Sequence, residues 1–458
     1  MSLSFQTIHI HDKALFEKHL QNLGRVCDHA FANLFAWQAI FGNQWAECHD
    51  RLIVRSRPTP HENPKYMILP DIRSQHLPDI LQQIQEDADA HPYRLVQLSE
   101  EEKQHLERLF PDTFLFDNPY NMADYMYEAD DFRTFKGRRL AAKRNHVNKF
   151  KSMYPYQYKP LTSDLFGECM RLERQWRTEQ HGHNEQLDQE ETAIRTFFNH
   201  YDDLGLDGGA LFVEDTLAAF TFGSPINDHT FDIHIEKADT RFEGVFPMVG
   251  QLFAQHLPSQ YTLINREEDL GLPGLRQSKL SYHPLQIVAK YSAQPLDDDL
   301  RGIIRLWRDC FHENTADIHS FLSRYYTPEH AFLRRADGSV IAQCMFLPCN
   351  SEAGRIGYLY AIATAERWRR QGLAANVVED AIAYARAQGL YAVALIPASA
   401  ELQDYYARFG FVPHRFPLRF TSDYDLGTGD LSKDFPMILK LQETDFPEGD
   451  LICTPEEQ

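Results

Sequence analysis

One order of elements occurs twice in this chain, and it constrains the fold more than any other feature of the sequence. A hairpin, a third strand, a loop and a helix are predicted over residues 209–255, and the same order recurs over residues 331–388. Each loop places an arginine three residues before a glycine, as Arg-x-x-Gly, between the strand and the helix. The repetition predicts at least two similar α/β units in one chain.

The C-terminal copy has the clearer pattern. AFLRRADGSVIAQCMFL (331–347) predicts two strands about an Asp-Gly turn, which is the strongest short hairpin signal. Further strands are predicted at 355–364, 391–396, 415–420 and 435–441, and helices at 300–310, 373–388 and 400–409. The stretch 291–299 is typical of a linker, and the acidic end, 443–458, is expected to be loosely held.

Composition limits the class of protein. A length of 458 residues predicts about three domains. The seven scattered cysteines form no Cys-x-x-Cys pair, so neither a zinc site nor a disulfide framework is expected, and no metal is expected at His9-Ile-His11 or His181-Gly-His183. Without a signal peptide or an apolar run of 18 residues, the chain is predicted to be cytoplasmic with no integral membrane segment. The oligomeric state stays open.

A cluster of cations precedes the helix of the C-terminal copy. Arg367, Arg369 and Arg370 stand where the helix dipole already carries partial positive charge, although the net charge of the chain is −20. Gly372 permits a tight turn whose backbone amides point the same way, and the first amides of the helix have no partner. Either this end binds a pyrophosphate, or it is a solvated basic cap.

Residues 331–441 resemble the GCN5-related N-acetyltransferase (GNAT) family, whose loop motif [Arg/Gln]-x-x-Gly-x-[Gly/Ala] is complete here. The resemblance implies an enzyme that uses acetyl-CoA or another acyl-CoA. The implied cofactor-binding residues are those of the loop and of the open edge of the strand before it: Arg369, Arg370, Gln371, Gly372, Leu373, Ala374, Ala361, Ile362 and Ala363.

LQDYYARFGF (402–411) resembles the Tyr-x-x-x-Gly-Phe helix end of the same family. The resemblance implies that Tyr406 protonates the leaving thiolate, a task suited to a phenol that is protonated at neutral pH. The alternative is that Tyr405 and Tyr406 only pack under the sheet. Family members often carry a glutamate on the strand before the loop, but here the first carboxylate is Glu366, within the loop, so the general base stays open.

Residues 1–290 resemble the C-terminal domain of phosphatidylglycerol lysyltransferases, which also occurs alone in soluble bacterial proteins. The stretches that carry this resemblance are 29–47, 136–151, 220–225, 234–239 and, most distinctively, INREEDLGLPGLRQSKLSYHP (264–284). It implies a pair of GNAT-like halves, akin to transferases that use aminoacyl-tRNA. The expected fold is therefore α/β, with three GNAT-like units, each a mixed, mostly antiparallel sheet flanked by helices. The predicted ranges are 1–128, 129–290 and 291–442, followed by the tail.

The first copy of the loop differs from the second. RFEGVF (241–246) has Phe246 at the position of Ala374, and Glu243 adds negative charge. A bulky ring there would fill the space that a phosphate needs. Acyl-CoA is therefore not expected to bind at this loop.

KGRRLAAKRNHVNKFK (136–151) holds seven lysines or arginines in sixteen residues. On a helix, Arg139, Lys143 and His146 would fall on one side, next to Arg144. Either this stripe binds the phosphates of aminoacyl-tRNA or an anionic lipid head group, or it is a solvated basic face.

Charged residues also crowd the end of the strand at 261–269. The residues expected to face the crevice where such folds bind ligands are Asn265, Arg266, Glu267, Glu268 and Asp269, and Arg276 and Lys279 follow from the next segment. A carboxylate there would fix an amine acceptor or act as a base. The alternative is an internal network of salt bridges.

Three functions follow. In the first, the C-terminal unit transfers an acetyl group to a primary amine on a small molecule or peptide. In the second, residues 1–290 move an amino acid from aminoacyl-tRNA to a lipid or peptide. In the third, residues 1–290 have no chemistry and bind the acceptor.

Overall fold

The computed structural model describes residues 3–20, 22–89, 91–180, 185–422, 424–427, 429–442 and 449–456. The chain forms two compact units. The first comprises Met1–Leu109 and Asn118–Gln294, and the second comprises Phe110–Asp117 and Pro295–Gln458.

The first half of the first unit contains β1 (Gln6–Thr7), α1 (Lys13–Leu20), α2 (Phe31–Ala36), α3 (Gln38–Phe41), β2 (Gln44–Cys48), β3 (Arg51–Ser56), β4 (Lys65–Leu69), α4 (Leu77–Ala88), β5 (Arg94–Leu98) and α5 (Glu100–Leu109). The next strand in the chain, β6 (Phe114–Asp117), belongs to the second unit. The second half of the first unit contains β7 (Asp124–Glu128), α6 (Ala129–Thr134), α7 (Ala141–Met153), β8 (Tyr156–Pro160), α8 (Phe166–Gln180), α9 (Glu185–Asn199), α10 (Tyr201–Leu204), β9 (Asp207–Val213), β10 (Thr216–Pro225), β11 (Thr230–Ala238), α11 (Val245–His256), β12 (Leu263–Asn265), α12 (Pro273–Leu280), β13 (Gln286–Val288) and β14 (Tyr291–Pro295).

The rest of the second unit contains α13 (Asp298–Phe311), α14 (Thr315–Tyr325), β15 (Ala331–Ala336), β16 (Ser339–Ser351), β17 (Gly354–Thr364), α15 (Leu373–Ala387), β18 (Ala392–Leu395), α16 (Gln403–Ala407), β19 (Val412–Pro413), β20 (Leu418–Phe420), β21 (Met437–Lys440) and β22 (Leu451–Pro455).

The first unit is built on two mixed sheets. One has the strand order β1-β2-β3-β4-β5-β14, with a parallel pair at β4 and β5. The other has the order β13-β7-β12-β11-β10-β9-β8, with a parallel pair at β11 and β12. Phe16 and Trp45 of the first half share one core with Phe197 and Phe222 of the second. The two halves therefore stabilise each other through a common apolar interior.

The second unit has one sheet, in the order β19-β21-β18-β17-β16-β22-β20, with β15 also paired to β16. Strands β17 and β18 run parallel and are joined through α15, as a crossover between parallel strands requires. The predicted hairpin is present as β15 and β16, with Ala336 opposite Ser339. Asp297 begins α13 because its side chain accepts a hydrogen bond from the amide of Leu300 at 2.7 Å.

Two expectations are corrected, one about a boundary and one about the end of the chain. The boundary predicted between residues 128 and 129 would assign β7 to the first half of the unit. However, β7 pairs with β12 and β13 of the second sheet, so it belongs to the second half. The end of the chain is not loosely held throughout. Leu451–Pro455 forms β22, which pairs with β16 and buries alternate residues. Apolar side chains at alternate positions of this acidic segment explain why it joins the sheet.

Candidate functional site

Only the first part of strand β17 is paired with its parallel neighbour, β18. The two strands pair from Ile356 with Ala392 to Leu359 with Leu395, and β17 then continues to Thr364. Beyond Leu359 the edge of β17 that faces away from β16 is therefore not paired to β18. Ala361, Ile362 and Ala363 lie on this edge.

A bulge interrupts β17 at the same place. Gln343 of β16 pairs with Ala363 and Met345 pairs with Tyr360, so Ala361 and Ile362 together oppose Cys344. The backbone of Ala361 has φ +47°, which is in the left-handed region that alanine rarely adopts. Strain of this kind persists where the surrounding structure fixes it, and it turns backbone groups out of the strand ladder.

The loop after β17 ends in an open helix N-terminus. Arg370 and Gly372 have φ +62° and +81°, and Gly372 is the residue from which α15 starts. The first intrahelical bond runs from the amide of Asn376 to the carbonyl of Gly372 at 3.1 Å, so the preceding amides of the helix have no partner within it. A Cβ placed on Gly372 would meet no atom within 4 Å. The N-terminus of α15 can thus accept an anion.

The arginines of this loop are exposed. Arg369 donates from Nε to the carbonyl of Thr364 at 3.2 Å, which ties the loop to the end of β17. The guanidinium of Arg367 lies 5.9 Å from the centre of the Trp368 ring. The structure therefore brings the open strand edge, the turn and three cationic side chains into one continuous segment.

Tyr406 lies on α16 and is 7% exposed. Burial, together with Cys344 of β16 and Tyr405, raises the pKa of its phenol well above its usual range. The ring packs in the same core as the buried face of α15, so the packing interpretation holds for the ring. The hydroxyl is protonated at neutral pH and can donate a proton.

The corresponding loop of the first unit is closed. Gly244 has φ +83° and starts α11, as Gly372 starts α15. However, a Cβ on Gly244 would lie 2.6 Å from the carbonyl oxygen of His146 in α7. Phe246 was expected to fill the phosphate space, but its ring packs partly buried against the core. The main chain of α7 covers this loop.

The predicted basic stripe does not form. Arg139 precedes α7, which begins at Ala141, and it pairs with Asp131. The Nζ of Lys143 lies 3.8 Å from the centre of the Tyr282 ring, and burial near Arg266 lowers its pKa to about 8. Arg144 donates to the main-chain carbonyl of Gly137 at 3.1 Å. Of the four predicted residues, only His146 keeps an exposed side chain on the helix.

Buried charges in the first unit form a cluster that we call the acidic pocket. It has five carboxylates, two basic groups and two polar partners: Asp28, Asp124, Asp232, Glu267, Glu268, Lys290, His234, Asn33 and Cys27. The cluster lies where the paired parts of β11 and β12 end, at Asp232 and Asn265. Ligands bind beyond the carboxyl ends of parallel strands in such sheets.

Lys290 lies in one half of the acidic pocket. Its Nζ is 2.6 Å from Asp28 Oδ2, 2.5 Å from Asp124 Oδ1 and 3.3 Å from Cys27 Sγ. It also pairs with Glu268, whose pKa is raised by burial despite this lysine. The Asp124 carboxylate further accepts a bond from the Cys27 amide at 2.7 Å.

Asp232 lies in the other half, with no exposed surface. Asn33 Nδ2 is 3.4 Å from Asp232 Oδ2 and 2.9 Å from Glu267 Oε1. Nδ1 of His234 is 3.4 Å from Asp232 and 3.2 Å from Glu267. Burial lowers the pKa of His234, but the hydrogen bonds to Asp232 and Glu267 outweigh it and raise this pKa to about 9.

Sequence reasoning found Glu267 and Glu268 of this pocket and none of its other members. Arg266 instead pairs with Glu236 at 2.9 Å, and Lys279 donates to the main-chain carbonyls of Arg266 and Glu268. Arg266 therefore follows the salt-bridge alternative, whereas Lys279 is held by main-chain carbonyls. The signal that was available is the pair of polar residues at 232 and 234, which alternate with the apolar residues Phe231, Ile233 and Ile235.

Three groups of residues in the described part of the chain bring possible metal ligands within 4.8 Å of one another. In the group of Cys27, Asp28, Asp124 and Glu268, Lys290 already supplies the cation. Another is Cys27 with Asp232 and Glu267, and the third is His49 with His76 and Asp79. His181-Gly-His183 lies outside the described residues.

Comparison with known proteins gives the family. Residues 22–294, more than half of the chain, match the family described as phosphatidylglycerol lysyltransferase, C-terminal. The chain belongs to this family. Residues 300–411 match the acetyltransferase (GNAT) family. Both descriptions name families of acyl-group transferases.

One solved structure agrees in fold with a large part of the chain. A conserved protein of unknown function from Bacteroides thetaiotaomicron is 36% identical, and the match covers 64% of this chain and 100% of that one, with a TM-score of 0.60. The structure of L-PGS from Bacillus licheniformis is 16% identical over 62% of this chain and 90% of its own, with a TM-score of 0.44.

One curated relative, an uncharacterised protein of Mycoplasmoides gallisepticum, is 26% identical over 170 residues. The match covers 37% of this chain and about half (54%) of that protein. Among the residues that the structure describes, none belongs to a helix with the length and apolar character needed to cross a bilayer.

Proposed function

We propose that this protein is a cytoplasmic N-acyltransferase whose second unit uses acetyl-CoA, or another acyl-CoA, to acylate a primary amine. One observation carries the proposal. The N-terminus of α15 is open at Gly372, the edge of β17 beyond Leu359 is not paired to β18, and the loop between them contains three exposed arginines. A diphosphate fits this end because both its charge and its acceptor oxygens match the arginines and the free amides.

The residues present fit such a cofactor. When bound, it would supply an activated acyl thioester. The amides from Arg370 to Ala374 would hold its diphosphate, and the edge of β17 at Ala361–Ala363 would pair with its amide-containing arm. Tyr406 would hold a proton for a leaving thiolate, because its pKa is raised.

No carboxylate lies on β17, and Glu366 is exposed in the loop. We therefore assign no side chain as the general base. An amine that is neutral in part, or one that loses its proton through water, can react without one. Under this mechanism the rate should rise with pH as the free amine becomes more abundant.

Tyr406→Phe tests the role of the hydroxyl. We expect kcat for acetyl transfer to fall by roughly 10²–10⁴-fold, because the departing thiolate would lose its proton donor. The KM for acetyl-CoA should change little, since the loop is untouched. Tyr405→Phe is the matched control and should keep wild-type kcat. Equal kcat for both variants would remove Tyr406 from the mechanism.

Aminoacyl transfer by the first unit is the second candidate function. The specific observation in its favour is the closed loop at Gly244, since a transferase that takes its donor from tRNA needs no diphosphate site there. Family membership supports the same assignment. The acceptor would be a lipid or a peptide.

Binding of charged tRNA over a salt series tests this candidate. The structure makes Lys136 and Arg138 better probes than Lys143 or Arg144, because both are exposed. We expect Lys136→Ala/Arg138→Ala to lower the slope of log affinity against log salt by about 2. The control, Lys18→Ala/Lys65→Ala, changes two exposed lysines elsewhere in the unit and should keep the wild-type slope. A wild-type affinity for charged tRNA that does not change with salt concentration would count against this candidate.

A further inference from the structure

The first unit has a cavity of about 800 Å³ that opens to solvent, and we call it the N-terminal cavity. Its wall is formed by residues 7–11, by parts of the stretch 35–44 around α3, by Arg57, and by Thr196 and His200 near the end of α9. None of these residues belongs to the acidic pocket. A cavity of this volume accommodates a small organic molecule.

Part of the wall is apolar and rigid. Ile8 and Phe35 line the cavity and are 1% and 7% exposed. The ring of His200 meets the Phe35 ring edge to face, with 5.0 Å between the ring centres. On the rim, the rings of His9 and His11 stack with 5.3 Å between their centres. A flat apolar group can bury its surface against such rings.

The polar part of the wall carries basic groups. Of the described residues that line the N-terminal cavity, none has a carboxylate, although the chain has 66 acidic residues against 46 lysines and arginines. One guanidinium and three imidazoles supply N–H donors there: Arg57, His9, His11 and His200. This composition favours a negatively charged ligand.

Two carboxylates lie next to these basic groups, and other contacts occupy both of them. Asp12 is 8% exposed, and its Oδ2 accepts hydrogen bonds from the amide of His9 at 2.7 Å and from Trp45 Nε1 at 3.1 Å. Its Oδ1 lies 3.5 Å from His11 Nε2. Asp203 lies 3.9 Å from Nδ1 of His200, which leaves Nε2 of that ring to donate to a ligand.

Arg57 is held in place by its own loop. Its Nε donates to the carbonyl of Glu62 at 3.0 Å, and its Nη2 donates to the carbonyl of Pro60 at 2.5 Å. The main chain of Gly42 passes so close that a Cβ there would lie 2.2 Å from the carbonyl oxygen of Arg57. Because these contacts use only part of the guanidinium, Nη1 stays available, and a side chain fixed in advance loses little entropy on binding.

We propose that the N-terminal cavity binds an organic anion with a flat apolar body. Arg57 and His200 contact the charged end, and Phe35 and Ile8 contact the apolar body. A carboxylate and a phosphate monoester both match a guanidinium, so the shared chemistry is an anionic oxygen group on a ring-sized body. The site lies in the first unit, and the inference does not rest on acyl-CoA use by the second.

Isothermal titration of the full-length protein tests the site with three ligands of similar size. Phenylacetate represents the carboxylate, phenyl phosphate represents the phosphate monoester, and uncharged phenylacetamide is the control. We expect saturable binding of at least one anion, and binding of phenylacetamide at least about tenfold weaker, because it lacks the charge-assisted hydrogen bonds. The anion that binds more tightly identifies the source of the charge.

Variants separate the charged end from the apolar end. Arg57→Gln and His200→Gln should each weaken binding of the anion by at least about tenfold. Ala39→Trp keeps every charge but fills the cavity from its exposed rim, so it should abolish binding while the protein stays folded. His229→Gln changes an exposed histidine that does not line the cavity and should keep wild-type affinity.

Three results would each overturn the proposal. The first is that neither anion binds at millimolar concentration. The second is that phenylacetamide binds as tightly as the anions, which would make the cavity an apolar site only. The third is that His200→Gln and Ala39→Trp both keep wild-type affinity, since the anion would then bind elsewhere on the protein.

Discussion

Lys290→Met is expected to lower the free energy of unfolding by about 3–5 kcal/mol, as removal of one partner from a buried ion pair does. Methionine keeps most of the volume of lysine, so a cavity contributes little. The loss arises because Asp28, Asp124 and Glu268 would remain in the acidic pocket without their shared cation. Urea denaturation of the full-length protein measures it.

Lys18→Met is the matched control, because Lys18 is exposed on α1. It should change the free energy of unfolding by no more than about 0.5 kcal/mol. A loss below about 1 kcal/mol for Lys290→Met would mean that the three carboxylates are not buried against this lysine in solution.

The loss of unfolding free energy in Lys290→Met should also depend on pH. Burial already raises the pKa of Glu268 with Lys290 present, and removal of the lysine raises it further. A carboxyl whose folded pKa is raised binds more protons in the folded state, so its folded form loses stability as pH rises from about 4.3. The difference between variant and wild type should therefore be smaller at pH 5 than at pH 8.

Much of the second unit could be predicted because its signals are local. The Asp-Gly hairpin, the apolar strands and the glycine after Arg369 each depend on neighbours in sequence, and the structure has β15, β16, β17 and α15 where they were expected. The turn at Gly372 is encoded by one residue that tolerates a positive φ. Such features need no knowledge of distant contacts.

The acidic pocket could not be predicted in this way. Its members come from residues 27–33, 124, 232–234, 267–268 and 290, which are far apart in sequence, and the pairing of β7, β11 and β12 accounts for three of these five segments. The prediction of a basic stripe at 136–151 was wrong for the same reason. Its composition indicated a solvated or phosphate-binding stripe, but tertiary contacts bury Lys143 against Tyr282 and tie Arg144 to main-chain carbonyls.

The structure explains why the loops at Gly244 and Gly372 differ, which their sequences alone did not decide. Gly244 and Gly372 have nearly the same φ and both begin a helix. The difference lies outside the loops: the carbonyl of His146 lies over Gly244, whereas nothing lies within 4 Å of a Cβ on Gly372. Because that carbonyl is a hydrogen-bond acceptor with partial negative charge, it would repel a phosphate as well as fill its space.

Acetyl-CoA is expected to stabilise the wild-type protein by about 2.7 kcal/mol at a hundredfold excess over its Kd, and this effect should be absent in Gly372→Glu. The substitution places a carboxylate at the anion-binding end of α15. Thermal denaturation of the full-length protein measures the effect. Pantetheine, which lacks the diphosphate, should stabilise far less, and added salt should weaken the effect of acetyl-CoA.

Gly389→Glu is the matched control. Gly389 also has a positive φ and open space around it, but it follows α15 at the other end, roughly 22 Å away for a helix of this length. It adds the same charge and similar backbone strain, so acetyl-CoA should still stabilise this variant. If wild type gains nothing from acetyl-CoA, or if Gly372→Glu gains as much as wild type, the loop does not bind the cofactor.

Ala374→Phe separates the two explanations for the closed loop of the first unit. It gives the open loop the aromatic residue that stands at Phe246, without the cover that α7 provides. We expect the variant to fold, because Ala374 is partly exposed, and to lose stabilisation by acetyl-CoA. If it binds acetyl-CoA as wild type does, an aromatic side chain at this position is tolerated. The carbonyl of His146 would then be the reason why the loop at Gly244 holds no diphosphate.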